Sequence, residues 1–209
     1  MEDGLFSLDG TGTYEFIQRL RDFSPEHSID CFPSTSGNIS RLVSEGSADL
    51  GITYISGHCR LSPNLKERCF HKGHLALAVP ASWDFELGSQ EFSQAVSTTT
   101  LFYPSERSYW HGAVNSFFAK NNYYPYVVSL ENYETALNFV VGGSGMFFAP
   151  ETHLRKQSLP QIRIIPLCDE NTEYRVSAIY ATHNQSILLQ RILELLPAHA
   201  GDEDVEPEN

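Results

Sequence analysis

The sequence predicts an α/β fold built from two units, each a run of parallel strands crossed by helices. Three observations carry that prediction. Strand-like and helix-like stretches alternate twice along the 209 residues, the pattern of βαβ units and a parallel sheet. The segment Glu131-Asn-Tyr-Glu-Thr-Ala-Leu-Asn-Phe-Val-Val-Gly-Gly-Ser-Gly-Met-Phe-Phe-Ala-Pro150 reads as helix, glycine stop, short apolar strand and proline. Met146 to Ala149 is apolar without interruption, as a strand buried on both faces is. Pro80-Ala-Ser-Trp83 separates the two runs.

In order, residues 4–7 are a short first strand, and Asp9-Gly-Thr-Gly-Thr13 a turn cluster rich in N-cap residues. Tyr14 to Phe23 is an amphipathic helix with Phe16, Ile17 and Leu20 on one face, stopped by Pro25. Ile29 to Phe32 is a strand and Pro33–Asn38 a loop. Ile39 to Ser44 is a helix closed by Gly46, and Asp49 to Tyr54 the next strand. Residues 55–66 form a polar loop, and Leu75 to Val79 is a strand. The second run starts with a strand at Thr98–Tyr103. A helix follows at Tyr109–Ala119, anchored by Trp110, Phe117 and Phe118, then a strand at Tyr126–Leu130 and the helix–strand segment above. Ile162–Leu167 and Tyr174–Ala181 are strands. Ser186–Leu196 is an apolar helix ended by Pro197. Residues 1–79 with 174–199 would make one subdomain and 80–173 the other, with hinges near 79–83 and 168–174.

The bulk numbers exclude several functions. Net charge is −12 with a pI near 5.0, so the surface repels phosphate backbones and anionic lipid. No apolar run reaches membrane-spanning length, and the acidic start Met-Glu-Asp-Gly lacks signal-peptide character, which predicts a cytoplasmic protein or one whose leader has been removed. Residues 200–209 are acidic and lack core residues, the composition of a disordered tail. No two of the four cysteines have the two-residue gap of a metal or redox motif. Cys31 and Cys168 lie in or at the end of apolar strand patterns and read as small buried hydrophobes. Cys59 and Cys69 bracket a loop, and no secretory signal supports a disulfide there. His58, His71 and His74 lack metal-ligand spacing, and Gly142-Gly-Ser-Gly145 lacks a nucleophile frame. We expect no metal, no cofactor and no enzyme activity.

Ser44-Glu-Gly-Ser-Ala-Asp-Leu-Gly-Ile52 resembles the Gly-x-x-Asp-Leu-Gly/Ala-Ile signature of the effector-binding domain of LysR-type transcriptional regulators. Ala136-Leu-Asn-Phe-Val-Val-Gly-Gly-Ser-Gly-Met-Phe-Phe-Ala-Pro150 resembles that family's Leu-x-x-Val-x-x-Gly-x-Gly-x-x-x-x-Pro segment. The resemblance spans roughly residues 4–197. It implies the type 2 periplasmic-binding-protein fold, two α/β subdomains around a ligand cleft, and a small polar or anionic effector. It implies antiparallel pairing in a homodimer or tetramer. DNA contact would come only through an N-terminal helix-turn-helix that this sequence lacks. A stand-alone solute-binding protein serving a transporter is the alternative.

Helix N-termini supply the binding chemistry, because their free N–H groups and partial positive charge take anions without a formal cation. The loops before helices offer Thr11 and Thr13, Ser34 and Ser36, and Ser105, with Arg107 able to pair a carboxylate bidentately. By resemblance, Ser7 falls near the ligand-contacting position after the first strand, with Thr11 or Thr13 as substitutes. Ser36 matches the hydroxyl position before the first signature. Ser105 and Asn132 lie at strand ends, and Tyr54, Tyr103 and Phe147 give aromatic walls. Each hydroxyl equally reads as a helix cap. Residues 98–131 hold no cysteine, against the cysteine-pair mechanism of the family's peroxide sensors.

Overall fold

The computed structural model describes residues 11–23, 25, 28–34, 36–56, 60–103, 111–130 and 133–197, without the side chains of Ser56 and Tyr103. The predicted first strand, Trp110 and the acidic tail lie outside these residues. The chain divides into two compact units. One is Gly73–Tyr174 with Ser56, and the other joins residues up to Ile55 with Cys59–Lys72 and the chain from Arg175.

The Gly73–Tyr174 unit has five strands: the second half of β2 (Leu65–Pro80), β3 (Thr100–Tyr103), β4 (Tyr126–Ser129), β5 (Met146–Pro150) and β6 (Ile162–Pro166). Their order is β4-β3-β5-β2-β6. β3 runs parallel to β4 and β5, while β2 is antiparallel to β5 and β6. Strand alternation splits the sheet's two faces. Ala76, Ala78, Phe102, Phe147 and Ala149 pack in one cluster with Ala136, Leu137 and Val140 of helix α5 (Tyr133–Val141) and Leu154 of α6 (Glu151–Gln157). The three alanines keep that face low enough for helices to lie close. Phe148 points the other way, its ring centroid 5.8 and 5.4 Å from Phe117 and Phe118 of α4 (His111–Lys120). Tyr123, Phe92 and Trp83 extend this aromatic layer. Phe92 and Val96 are the buried stripe of α3 (Gln90–Thr98), whose N-cap Ser89 accepts a hydrogen bond from the Phe92 amide.

The other unit holds β1 (Gly51–Ser56), most of β7 (Glu173–Ala181) and the first half of β2, in the order β1-β7-β2. Its helices are α1 (Thr13–Phe23), α2 (Ser36–Ser44) and α7 (Ile187–Glu194). α1 buries Phe16 and Leu20, and α7 buries Leu189 and Leu193, each pair at i,i+4. Arg191 of α7 covers the Phe23 ring at 4.7 Å.

The two segments that carry the family resemblance share one local device. α2 ends in Gly46 at φ +74°, with the Ser47 amide donating to Leu42 O at 2.9 Å and the Gly46 amide to Val43 O at 3.2 Å. α5 ends in Gly143 at φ +76°, with Ser144 donating to Phe139 O and Gly143 to Val140 O, both at 2.9 Å. Both are Schellman caps, in which glycine takes the left-handed position at no steric cost. A second glycine in each segment permits close packing. A Cβ at Gly51 would fall 2.3 Å from Ile39 Cγ2, and one at Gly145 would fall 2.3 Å from Phe102 Cε2.

Several expectations need correction. Ile29–Phe32 belongs to no ladder among the described residues, and Phe32 is 57% exposed. β2 begins at Leu65, so the polar loop is shorter than predicted. α3 and α6 were not anticipated. Cys31 and Cys168 are exposed rather than buried, because Cys31 belongs to the unladdered stretch and Cys168 lies beyond the end of β6. Cys69 is a free thiol; Cys59 lies outside the described residues.

Candidate functional site

In the Gly73–Tyr174 unit, the parallel strands deliver their carboxyl ends to one edge. Tyr103 and Ser129 end β3 and β4 as register partners, and Pro150 ends β5. The chain turns from these ends into α4, α5 and α6, so three helix N-termini gather there, the arrangement that makes this edge the ligand side of α/β sheets. Ser105, Arg107 and Asn132 belong to the segments joining strand to helix and lie outside the described residues, as does Ser7. Tyr103 is the last residue of its strand.

Tyr133, which the sequence reading did not single out, opens α5 at this edge. Its ring sits edge-on to Phe147 (5.1 Å) and to His153 (4.5 Å). Its hydroxyl is buried with no hydrogen-bond partner among the described residues, and burial holds the phenol protonated well above its ordinary value of 10.0. The signal available in sequence was its place one residue after Asn132. Phe147, which the sequence offers as an aromatic wall or as core, is 6% exposed and packs in the core cluster under α5.

In the other unit, the start of α1 brings two predicted residues together. The Thr11 and Thr13 hydroxyl oxygens are 2.8 Å apart and both residues are buried. Gly12 between them takes φ +81°, and a Cβ there would meet Pro197 at 2.7 Å. Ser36 opens α2, and Ser34 Oγ accepts a hydrogen bond of 2.5 Å from Asn38 Nδ2. Thr13 and Ser34 line one cavity of about 640 Å³, as bounded by the described residues. Its remaining wall is mainly apolar, with Phe16, Leu20, Ile29, Ile52 and Leu189. Among the described residues, Asp30 and Asp49 are the only formally charged side chains on it. Tyr54 lies on β1, 6% exposed, and is not among the cavity's lining residues.

These parts can hold a small polar molecule by hydroxyl and backbone donors. Among the described residues no group of three His, Cys, Asp or Glu is placed to hold a metal ion, and no helix is long and apolar enough to cross a membrane.

Comparison with solved structures gives the same fold repeatedly. The effector binding domain of a BenM variant superposes with a TM-score of 0.73 at 19% identity, covering 92% of this chain and 88% of that one. The OxyR2 regulatory domain from Vibrio vulnificus gives 0.71 at 11% identity, covering 91% and 89%. Full-length CbnR complexed with its target DNA gives 0.66 at 16% identity; the match covers 88% of this chain but 64% of that one. CbnR is a LysR family transcriptional regulator, and the architecture of this chain is type 2 periplasmic-binding-protein-like. Comparison with curated proteins gives no match. The family model described as the LysR substrate binding domain matches residues 10–201, and the chain belongs to that family.

Proposed function

We propose that this chain is the effector-sensing part of a LysR-type transcription regulator, acting in the cytoplasm without catalysis. The family match over residues 10–201 carries this reading. BenM's effector binding domain is known with its effector benzoate, and CbnR with target DNA. By analogy, this chain takes a small polar or anionic effector, and a separate helix-turn-helix reads DNA. A transporter-serving solute-binding protein has this kind of fold too, but the family match favours the regulator.

The effector sits in a cleft between the two units, touched by Thr11 or Thr13 and Ser36 from one and by Ser105, Asn132 and Tyr103 from the other. Ser7, Ser34, Tyr54, Arg107 and Phe147 are the further candidates. Grouped strand ends and helix N-termini support the second set, and the buried Thr11–Thr13 pair at the start of α1 supports the first. Binding favours one orientation of the units to the extent that the effector prefers it.

The chain pairs antiparallel with a second copy. Each unit supplies an apolar surface in support. Phe32 and Tyr14 are 57% and 39% exposed in one, and Tyr124, Tyr126 and Val127 on the β4 edge are 75%, 73% and 53% exposed in the other. Exposed apolar edge strands of this kind need a partner. The test of the binding reading is Ser36→Ala combined with Ser105→Ala, which should weaken effector binding in calorimetry. Unchanged affinity would show the pocket is elsewhere.

A further inference from the structure

Gly73 stands where β2 has outrun β5, whose ladder stops at the Leu75–Pro150 pair. The glycine's φ is not in the left-handed region, so backbone conformation does not require it. Space does. A Cβ at residue 73 would lie 2.6 Å from the Tyr174 hydroxyl oxygen, 2.8 Å from its Cζ and 3.2 Å from its Cε1. Tyr174 is 1% exposed and among the largest fully buried side chains described. Its hydroxyl is 3.3 Å from Thr152 Oγ1 at the start of α6. The phenol therefore lies across the β2 backbone at its one side-chain-free position and ends on the next helix.

The position matters because the chain leaves this unit twice at that place. β2 crosses its boundary between Lys72 and Gly73, and β7 crosses it between Tyr174 and Arg175. We propose that Tyr174 lying over Gly73 is a lock that ties both linking strands to the Gly73–Tyr174 unit. Bending between the units is then confined to the Lys72 and Arg175 side of the lock. The regulatory meaning of that confinement rests on the effector-sensing reading; the lock itself does not.

A double-mutant cycle read by amide hydrogen exchange, without effector, tests it. Gly73→Ala forces a methyl into the phenol and should speed exchange of peptides covering 72–75 and 173–175 by about fivefold or more, the low end of an overpacking cost. In a Tyr174→Ala background the methyl has room, and the same substitution should change exchange by less than about twofold. Tyr174→Phe keeps the ring, so Gly73→Ala must retain its effect there, whether or not Tyr174→Ala folds. Unchanged exchange in Gly73→Ala, loss of its effect in Tyr174→Phe, or equal acceleration with and without the ring overturns the lock. None of these outcomes depends on whether an effector binds.

Discussion

Gly145→Ala is the sharpest structural test of the second family segment. The added methyl would fall 2.3 Å from Phe102 Cε2 and 2.6 Å from the Thr100 carbonyl oxygen. The second contact is short of an ordinary 3.4 Å approach by about 0.8 Å, and its oxygen belongs to strand β3, which is held between β4 and β5. Phe102 cannot easily swing away, because its ring stacks on Phe139 at 4.8 Å. Overpacking without an escape route costs about 2–3 kcal/mol. For a domain of this size that lowers the melting temperature by about 4–12 °C. Gly37→Ala is the matched control, since a Cβ there meets nothing within 4 Å and alanine is the better helix former; it should stay within about 0.5 kcal/mol of the parent or gain slightly. Differential scanning calorimetry on the two variants reads both. Equal melting temperatures for Gly145→Ala and the parent would refute the close-packing argument.

Leu154→Ala empties a fully buried site beneath α6 and should cost about 2–5 kcal/mol in chemical denaturation; a loss below about 1 kcal/mol would mean the cluster is loosely packed. Tyr126→Lys places a charge on the exposed β4 edge and should shift sedimentation from dimer toward monomer with little change in melting temperature; an unchanged dimer would remove β4 from the interface. The hydrogen bond from Lys120 holds the Asp169 carboxyl below its ordinary value of 3.8. A lowered folded-state value gives stability that is present above the ordinary carboxylate range and lost as pH falls through the folded value. Asp169→Asn should therefore lower neutral-pH stability by the small amount an exposed pair contributes and flatten the acid limb of the stability–pH curve by that same amount. An unchanged acid limb would show that the pair contributes nothing.

The elements that were legible in sequence are those whose signal is local. α5, its glycine stop and β5 were readable because apolar period, Schellman glycine and uninterrupted strand sit side by side. α7 was readable from Ser186, Leu189 and Leu193. α6 was missed because Glu-Thr-His-Leu-Arg-Lys-Gln shows little apolar period after a proline, although His153 and Leu154 are buried. α3 was a missed opportunity, since Ser89, Phe92 and Val96 give both cap and stripe. Ile29–Phe32 looked like a strand because alternating apolar residues report exposure to a core, whereas a ladder depends on a neighbour that local sequence does not specify. The same limit applied to Cys31. Of the site, hydroxyls before helices were readable as caps or ligands alike, and only three-dimensional placement set Thr11 beside Thr13 and put Thr13 and Ser34 on one cavity. Tyr133 escaped because an aromatic at a helix start reads as core until its hydroxyl is found buried without a partner among the described residues.

The proposed function requires that this chain bind a small molecule. Its most direct test is a thermal-shift screen against small carboxylates, amino acids and aromatic acids, followed by calorimetry of any binder on the parent and on Ser36→Ala/Ser105→Ala. At a hundredfold excess over its dissociation constant a true effector adds about 2.7 kcal/mol, which raises the melting temperature by about 5–11 °C. At least one compound should give such a rise, with an affinity at least about tenfold weaker in the double variant. A binder whose affinity the two substitutions leave unchanged would contradict the assigned site, and no stabilisation by any compound across the three classes would contradict the sensing claim.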